Sequence, residues 1–208
     1  MPVSPDLWLA FAAAAAILIA IPGPTTLVVL GNTLAGGRAL GFISLIGVAV
    51  GDVCAIGLSV LGFSAILSAS ALAFEILKWI GAAYLVWLGI GLWRAPPAEL
   101  AATAGERTRA GTAILRSFTV TLLNPKGILF FAAFLPQFID LDRPLLGQVV
   151  VLTLTFVALA TSIQGGYILA LGTARRNVAS ATTMRRLNRA GGAMLIGAGL
   201  LTASLKRA

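Results

Sequence analysis

From Leu7 to Gly37 the chain carries no charged residue, yet this run contains Pro22-Gly23-Pro24. A helix crosses a bilayer with about 20 apolar residues, so the run is long enough to span. It cannot span as one unbroken helix, because two prolines remove backbone donors and clash with the preceding turn. Carbonyls freed inside lipid must find other partners, so such a break survives only against protein or a wet cavity. The run therefore predicts a membrane segment whose hydrogen-bond ladder is opened partway along. A second interruption, Asn124-Pro125-Lys126, sits in a corresponding apolar stretch of the other half.

Only 11% of the 208 residues are charged and 59% are hydrophobic, against about 25% charged in a soluble domain. This makes the chain an integral membrane protein with no room for a large water-soluble domain. The net charge of +8 would suggest nucleic acid in a soluble protein. Here Lys and Arg lie mostly in the gaps between apolar runs, so the charge reads as topology and contact with anionic headgroups. There is no His and a single cysteine, Cys54. Histidine metal sites, histidine acid–base chemistry and an intrachain disulfide are thereby excluded. Neither Gly-x-Ser-x-Gly nor His-Glu-x-x-His occurs, which argues against an intramembrane hydrolase, and no cofactor is expected. The first six residues hold one acid and no base, so the start reads as a retained helix rather than a secretory signal.

Six apolar segments can be drawn: Leu7–Leu30, Leu40–Ile66, Leu72–Trp93, Thr112–Phe138, Leu145–Gly172 and Ala190–Leu205. Each is near spanning length, the last being the shortest. A polar stretch from Arg94 to Gly111, with Pro96-Pro97, separates two halves. Arg38, Arg94, Arg107, Arg109, Arg116, Arg175, Arg176, Arg185, Arg186 and Arg189 fall on one side, and Lys78, Arg143, Lys206 and Arg207 on the other. Positive charge marks the cytoplasmic side, so six spans leave both termini outside, although Lys206-Arg207 pull the other way. The third and sixth segments match at Gly81/Gly191, Ala83/Ala193, Leu85/Leu195 and Gly89/Gly199. A three-helix unit reverses its orientation when repeated. The expected fold is thus an all-α membrane domain over 1–208, with six transmembrane helices in two inverted three-helix repeats (1–93 and 112–208). A cytoplasmic linker (94–111) joins them, and the first and fourth helices are broken. Paired interruptions of this kind point to a transport site at the repeat interface.

Several polar residues fall at depth. Pro22, Gly23, Pro24 and Thr25 mark the first break. The helix that restarts there offers free N–H groups that attract a carboxylate. Asp52, after Gly47-Val48-Ala49-Val50-Gly51, sits near the middle of the second segment. An acid there costs about 2.5–3.5 kcal/mol on the insertion scale, which makes it a candidate for binding an ammonium, carrying a proton or pairing with a base. Gly47 and Gly51 read as a helix-packing face. Lys126 follows Asn124-Pro125, placed either to pair with Asp52 or to snorkel toward the cytoplasmic side. Asn124 can bridge freed backbone groups. Gln164, before Gly165-Gly166, is the rough counterpart of Asp52 in the second half. Trp79, Tyr84, Trp87 and Trp93 read as interface anchors or packing, and Phe130, Phe131 and Phe134 as core or lipid-facing.

Taken together, Pro22-Gly23-Pro24, Gly51-Asp52, Lys78 through Gly89, and Asn124-Pro125-Lys126 with Phe130-Phe131 and Pro136-Gln137-Phe138 resemble the LysE/RhtB family of amino-acid exporters. The likeness runs in order along nearly the whole chain. It implies a multi-pass inner-membrane protein, not an enzyme, that exports amino acids or derivatives driven by the proton gradient. By this resemblance the two proline motifs with Asp52 would form its central site, and Asp52 would carry the coupling proton. Its partners would be a small amino acid, protons and membrane lipid. A homodimer is left open, with no residue that requires it. No second acid lies at depth in the fourth or fifth segment, which favours neutral or homoserine-like substrates over lysine and arginine. The competing readings are a transporter of a metal ion or other small solute, and a membrane scaffold.

Overall fold

The computed structural model describes residues 2–69, 108–140 and 143–173, with isolated positions within 79–94 and 189–200. Apart from those positions, the third and sixth expected segments, the match between them and most of the 94–111 linker lie outside the described residues. All regular structure among the described residues is helical. Helix α1 covers Pro5–Ala20, α2 Pro24–Ala69, α3 Ala110–Leu122, α4 Pro125–Phe134 and α5 Leu145–Thr173, with a 3-10 turn at Leu135–Phe138 after α4.

Proline sits at the first position of α1, α2 and α4. Its missing N–H costs nothing there and its fixed φ suits a helix start. The first apolar segment is therefore two helices, α1 and the beginning of α2, with Ile21 extended at the break (φ −83°, ψ 114°). The fourth expected segment is also two: α3, then α4 with its 3-10 turn, bent by 46°. Both expected breaks are present.

Within α2 the chain turns back on itself at Gly36-Gly37. Gly37 has φ 76°, a left-handed conformation that glycine adopts without strain. The turn is shown by contacts that a straight helix could not make. Asn32 Nδ2 donates to Ser44 Oγ at 2.9 Å, although twelve residues of straight helix span about 18 Å. Val29, Leu45 and Val48 share one buried cluster with Ile168. At the same end, Arg38 Nη2 donates to the Leu169 carbonyl of α5.

By length and composition, Leu145–Leu171 can cross a membrane, as can the bent pair Ala110–Leu122 with Pro125–Phe138 if counted as one span; the apolar stretch Pro24–Gly62 is long enough too, and its fold-back at Gly36-Gly37 leaves the longer second limb to do so. The exposed large side chains on α2 and α5, among them Ile46, Leu61, Leu146 and Leu154, suit contact with lipid tails.

The second limb of α2 packs closely on α3, running parallel to it. A Cβ added at Gly47 would lie 2.1 Å from the Ile114 carbonyl oxygen, and one at Gly51 2.8 Å from Thr121 Cβ. The expected packing role of these glycines is what the geometry gives. Because the obstacle at Gly47 is backbone, Gly47→Ala forces the helices apart. We expect it to destabilise the protein by about 1–3 kcal/mol, the usual cost of overpacking, read as a lowered melting temperature in detergent.

Phe130, Phe131, Phe134 and Phe138 form an aromatic core with Phe11 and Phe156. Phe11 and Phe138 meet edge-on at 5.3 Å, and Phe131 and Phe156 at 4.7 Å. Leu18, Ile19 and Ile21 belong to the same buried cluster, so the end of α1 is held rigidly where its ladder opens.

Candidate functional site

The prolines identify which carbonyls are orphaned. Pro22 cannot donate to Leu18 O, four residues earlier, and Pro24 cannot donate to Ala20 O. Both acceptors are taken by side chains from the second half. Lys126 Nζ donates to Leu18 O and Ile21 O, each at 2.9 Å, and the Tyr167 hydroxyl donates to Ala20 O. Ile21 N–H adds a longer bond to Leu18 O, 3.4 Å. The open ladder of the first half is thus closed by an ammonium and a phenol that the second half supplies.

The second break is closed mostly from within. Asn124 N–H donates to Thr121 O at 3.2 Å, the carbonyl that Pro125 leaves free. Asn124 Oδ1 caps α4 by accepting from Lys126 N–H at 3.1 Å. The two breaks are then joined at Thr25. Its Oγ1 accepts from Asn124 Nδ2 at 3.2 Å and from Thr121 Oγ1 at 3.3 Å.

Between them lies a small cleft, partly open to the outside. Gly23, Thr25, Asp52, Asn124, Lys126 and Gln164 all line it, together with apolar side chains such as Leu18, Ile19 and Phe156. Apolar walls with a few convergent polar groups are the usual form of a small-molecule site. Residues named from two breaks and two other helices therefore meet at one place. Pro22, Pro24 and Pro125 are not among its walls and act through the backbone they interrupt. The first turns of α2 and α4 both face the cleft, at Thr25-Thr26 and Lys126-Gly127. Two helix N-termini give it positive partial charge, the Lys126 N–H of α4 being already taken by Asn124. Asp52, only 7% exposed, brings the negative charge.

Asp52 and Lys126 do not form a direct salt bridge, and lie within electrostatic reach of each other. Among the described residues Asp52 has no ion pair or hydrogen bond. The Lys126 ammonium is turned to the α1 carbonyls, 3.3 Å from where a Gly23 side chain would begin. The physical reason is that the opened ladder presents two carbonyl oxygens at the tip of the lysine, and a buried carbonyl cannot be left bare. The same bonds rule out the snorkelling geometry, since the ammonium is spent on the break rather than on a headgroup.

Three wall or support residues do not stand out in the sequence. Thr121 stands one helical turn before Pro125, a position whose carbonyl a proline always frees. Tyr167 was legible in principle, because a phenol inside a span needs an acceptor. Phe156, with Ala160 and Gln164, forms a stripe at four-residue spacing on α5, the side of that helix that reaches the cleft.

Known proteins resemble the chain along most of its length. Residues 16–205 match the family model described as LysE type translocator. The chain is 38% identical to an uncharacterized membrane protein of Vibrio cholerae serotype O1, over 96% of this chain and 98% of the other. It is 34% identical to a homoserine/homoserine lactone efflux protein of Salmonella typhimurium, over 98% of each chain. A leucine efflux protein of an Enterobacter strain is 34% identical over 71% of this chain and 67% of its own. No solved structure matches the chain. A helical membrane chain with two proline breaks meeting at a polar cleft, matched from residue 16 to residue 205 by a single family of transporters, belongs to the LysE type translocators.

Proposed function

We propose that this translocator exports neutral amino acids or close derivatives from the cytoplasm across the inner membrane, in exchange for protons. The observation that carries the reading is the cleft itself. One carboxylate, Asp52, with no direct salt bridge or hydrogen bond to a described residue, shares the cleft with two helix N-termini and the Lys126 ammonium. That is the complement of a zwitterion, with ammonium toward Asp52 and carboxylate toward the first turns of α2 and α4. The efflux named for the relatives, of homoserine, homoserine lactone and leucine, is of the same class. A lysine or arginine substrate would need a second acid, and Asp52 is the only acid among the described residues that line the cleft.

Proton coupling follows from the same groups. Ionised Asp52 holds the substrate ammonium while the site faces the cytoplasm. When the site faces outward a proton takes the ammonium's place, and the neutral acid returns. Sodium is disfavoured because the unwound carbonyls that could ligate it already hold Lys126 and Tyr167. The positive-inside count supports an arrangement with both termini outside, and the facing breaks support two inverted three-helix repeats. Group counts support an amino acid over a metal as cargo, since no cluster of three His, Cys, Asp or Glu occurs among the described residues.

Counterflow in proteoliposomes tests this. Homoserine, threonine or leucine is expected to exchange, accelerated by an imposed pH gradient and indifferent to sodium. Exchange of arginine or lysine with none of the three would overturn it.

A further inference from the structure

Gln164 is 4% exposed and lines the cleft, yet its Oε1 is buried with no hydrogen-bond partner among the described residues. No hydrogen bond of the amide nitrogen to a described residue is formed either. Ser117 Oγ is the other buried polar side-chain atom in this position, but it does not line the cleft and carries no such meaning. A buried acceptor without a partner costs about 1–3 kcal/mol, so it is retained where something supplies the missing bond. The charged ends of a zwitterion are already matched by Asp52 and by the α2 and α4 N-termini. What is left for Gln164 is the side chain of the substrate.

Its surroundings fit that role. Phe156, Ala160 and Gln164 follow one another at four-residue spacing along α5, so they form a single wall. The wall is apolar through Phe156 and Ala160, the small Ala160 leaving room, and becomes polar at Gln164. A short side chain lying on it would meet carbon first and an amide last. We infer that Gln164 is the specificity-determining residue of this cleft, and that it selects amino acids with a hydrogen-bonding group near the end of a short side chain over aliphatic ones of equal size. The inference rests on the cleft being the substrate site, as proposed above. It adds what that reading leaves open, which part of the substrate is read and by which residue.

Homoserine and norvaline are the probes, because they differ only in a hydroxyl replaced by a methyl. Their initial rates of exchange are compared in proteoliposomes of wild-type protein, Gln164→Met and Asp52→Asn. Methionine keeps the length of glutamine and removes its polar atoms. Wild type is expected to favour homoserine by about tenfold or more, as expected when a buried polar group is left unpaired by the wrong substrate. In Gln164→Met the ratio is expected to fall about tenfold, toward one. A wild-type ratio near one overturns the inference without reference to any variant, and so does a ratio unchanged by Gln164→Met. If Gln164→Met moves neither substrate, Gln164→Asn, which keeps the amide one carbon shorter, decides. A homoserine preference between that of wild type and one supports the inference, and a wild-type ratio or none overturns it. The Asp52→Asn arm separates the two ideas. Loss of both substrates there with an unaltered Gln164→Met ratio removes only the role of Gln164. Unimpaired exchange of both substrates in Asp52→Asn removes the site itself.

Discussion

Asp52→Asn is expected to lower proton-driven efflux by roughly 100-fold or more while leaving the fold intact. The size follows from removing one member of a desolvated charge pair with the substrate ammonium, worth roughly 3–5 kcal/mol when one partner is lost. The intact fold follows from the geometry. Asp52 is buried at 7% exposure and forms no hydrogen bond or salt bridge with a described residue, so asparagine removes a burial cost and gives up only a longer-range attraction to Lys126. Melting in detergent should therefore be unchanged or raised. Efflux at several external pH values measures the other half of the prediction. Efflux like that of wild type, with the same response to pH, would end the proposed role of Asp52.

Lys126→Met is expected to behave in the opposite way on stability. Two carbonyls, Leu18 O and Ile21 O, lose the ammonium that satisfies them. Each bare buried acceptor costs about 1–3 kcal/mol, and only Leu18 O keeps a second, longer bond. A loss of roughly 2–5 kcal/mol lowers the melting temperature by about 5 °C or more in a domain of this size. Transport should fall as well, because the break loses its geometry and the cleft its positive charge. Lys126→Arg is not expected to rescue it, since a planar guanidinium cannot stand in for a compact ammonium wedged beside Gly23. The contrast between the two variants is itself diagnostic. A direct salt bridge between Asp52 and Lys126 would make both substitutions destabilise alike. With the ammonium bonded to the backbone, the loss of Lys126 costs far more than the loss of Asp52.

Dependence of one half on the other recurs through the site. Tyr167 and Lys126 satisfy carbonyls of α1, and Asn124 and Thr121 bond to Thr25 of α2. In the proposed transport cycle, a movement that reopens the cleft to the other side would exchange these bonds together, which would give it discrete end states rather than a continuous slide. The glycine-lined contact of α2 with α3 is a firm surface against which such a movement can occur.

The helix breaks, the membrane character and the place of Asp52 deep in an apolar run could be read from the chain because each is a local property. Proline lacks its N–H wherever it stands, and an apolar run is apolar in any fold. Gly47 and Gly51 were legible as a packing face for the same reason. The partner of Lys126 was not legible. Charge alone favoured Asp52, and only the folded arrangement shows two orphaned carbonyls lying at the tip of the lysine. Tyr167 and Thr121 escape a reading of the chain because their meaning depends on what stands opposite. A phenol in a span needs an acceptor, but the chain does not say that the acceptor is Ala20, 147 residues earlier. Gln164 was visible as a polar residue at depth, yet its lack of a partner is a fact of packing. By itself the sequence determined where the backbone ladder must open, since that is fixed by covalent structure. The tertiary structure decided which side chains close it and which polar group is left without a partner, since hydrogen bonds between distant segments are set by proximity that no local pattern encodes.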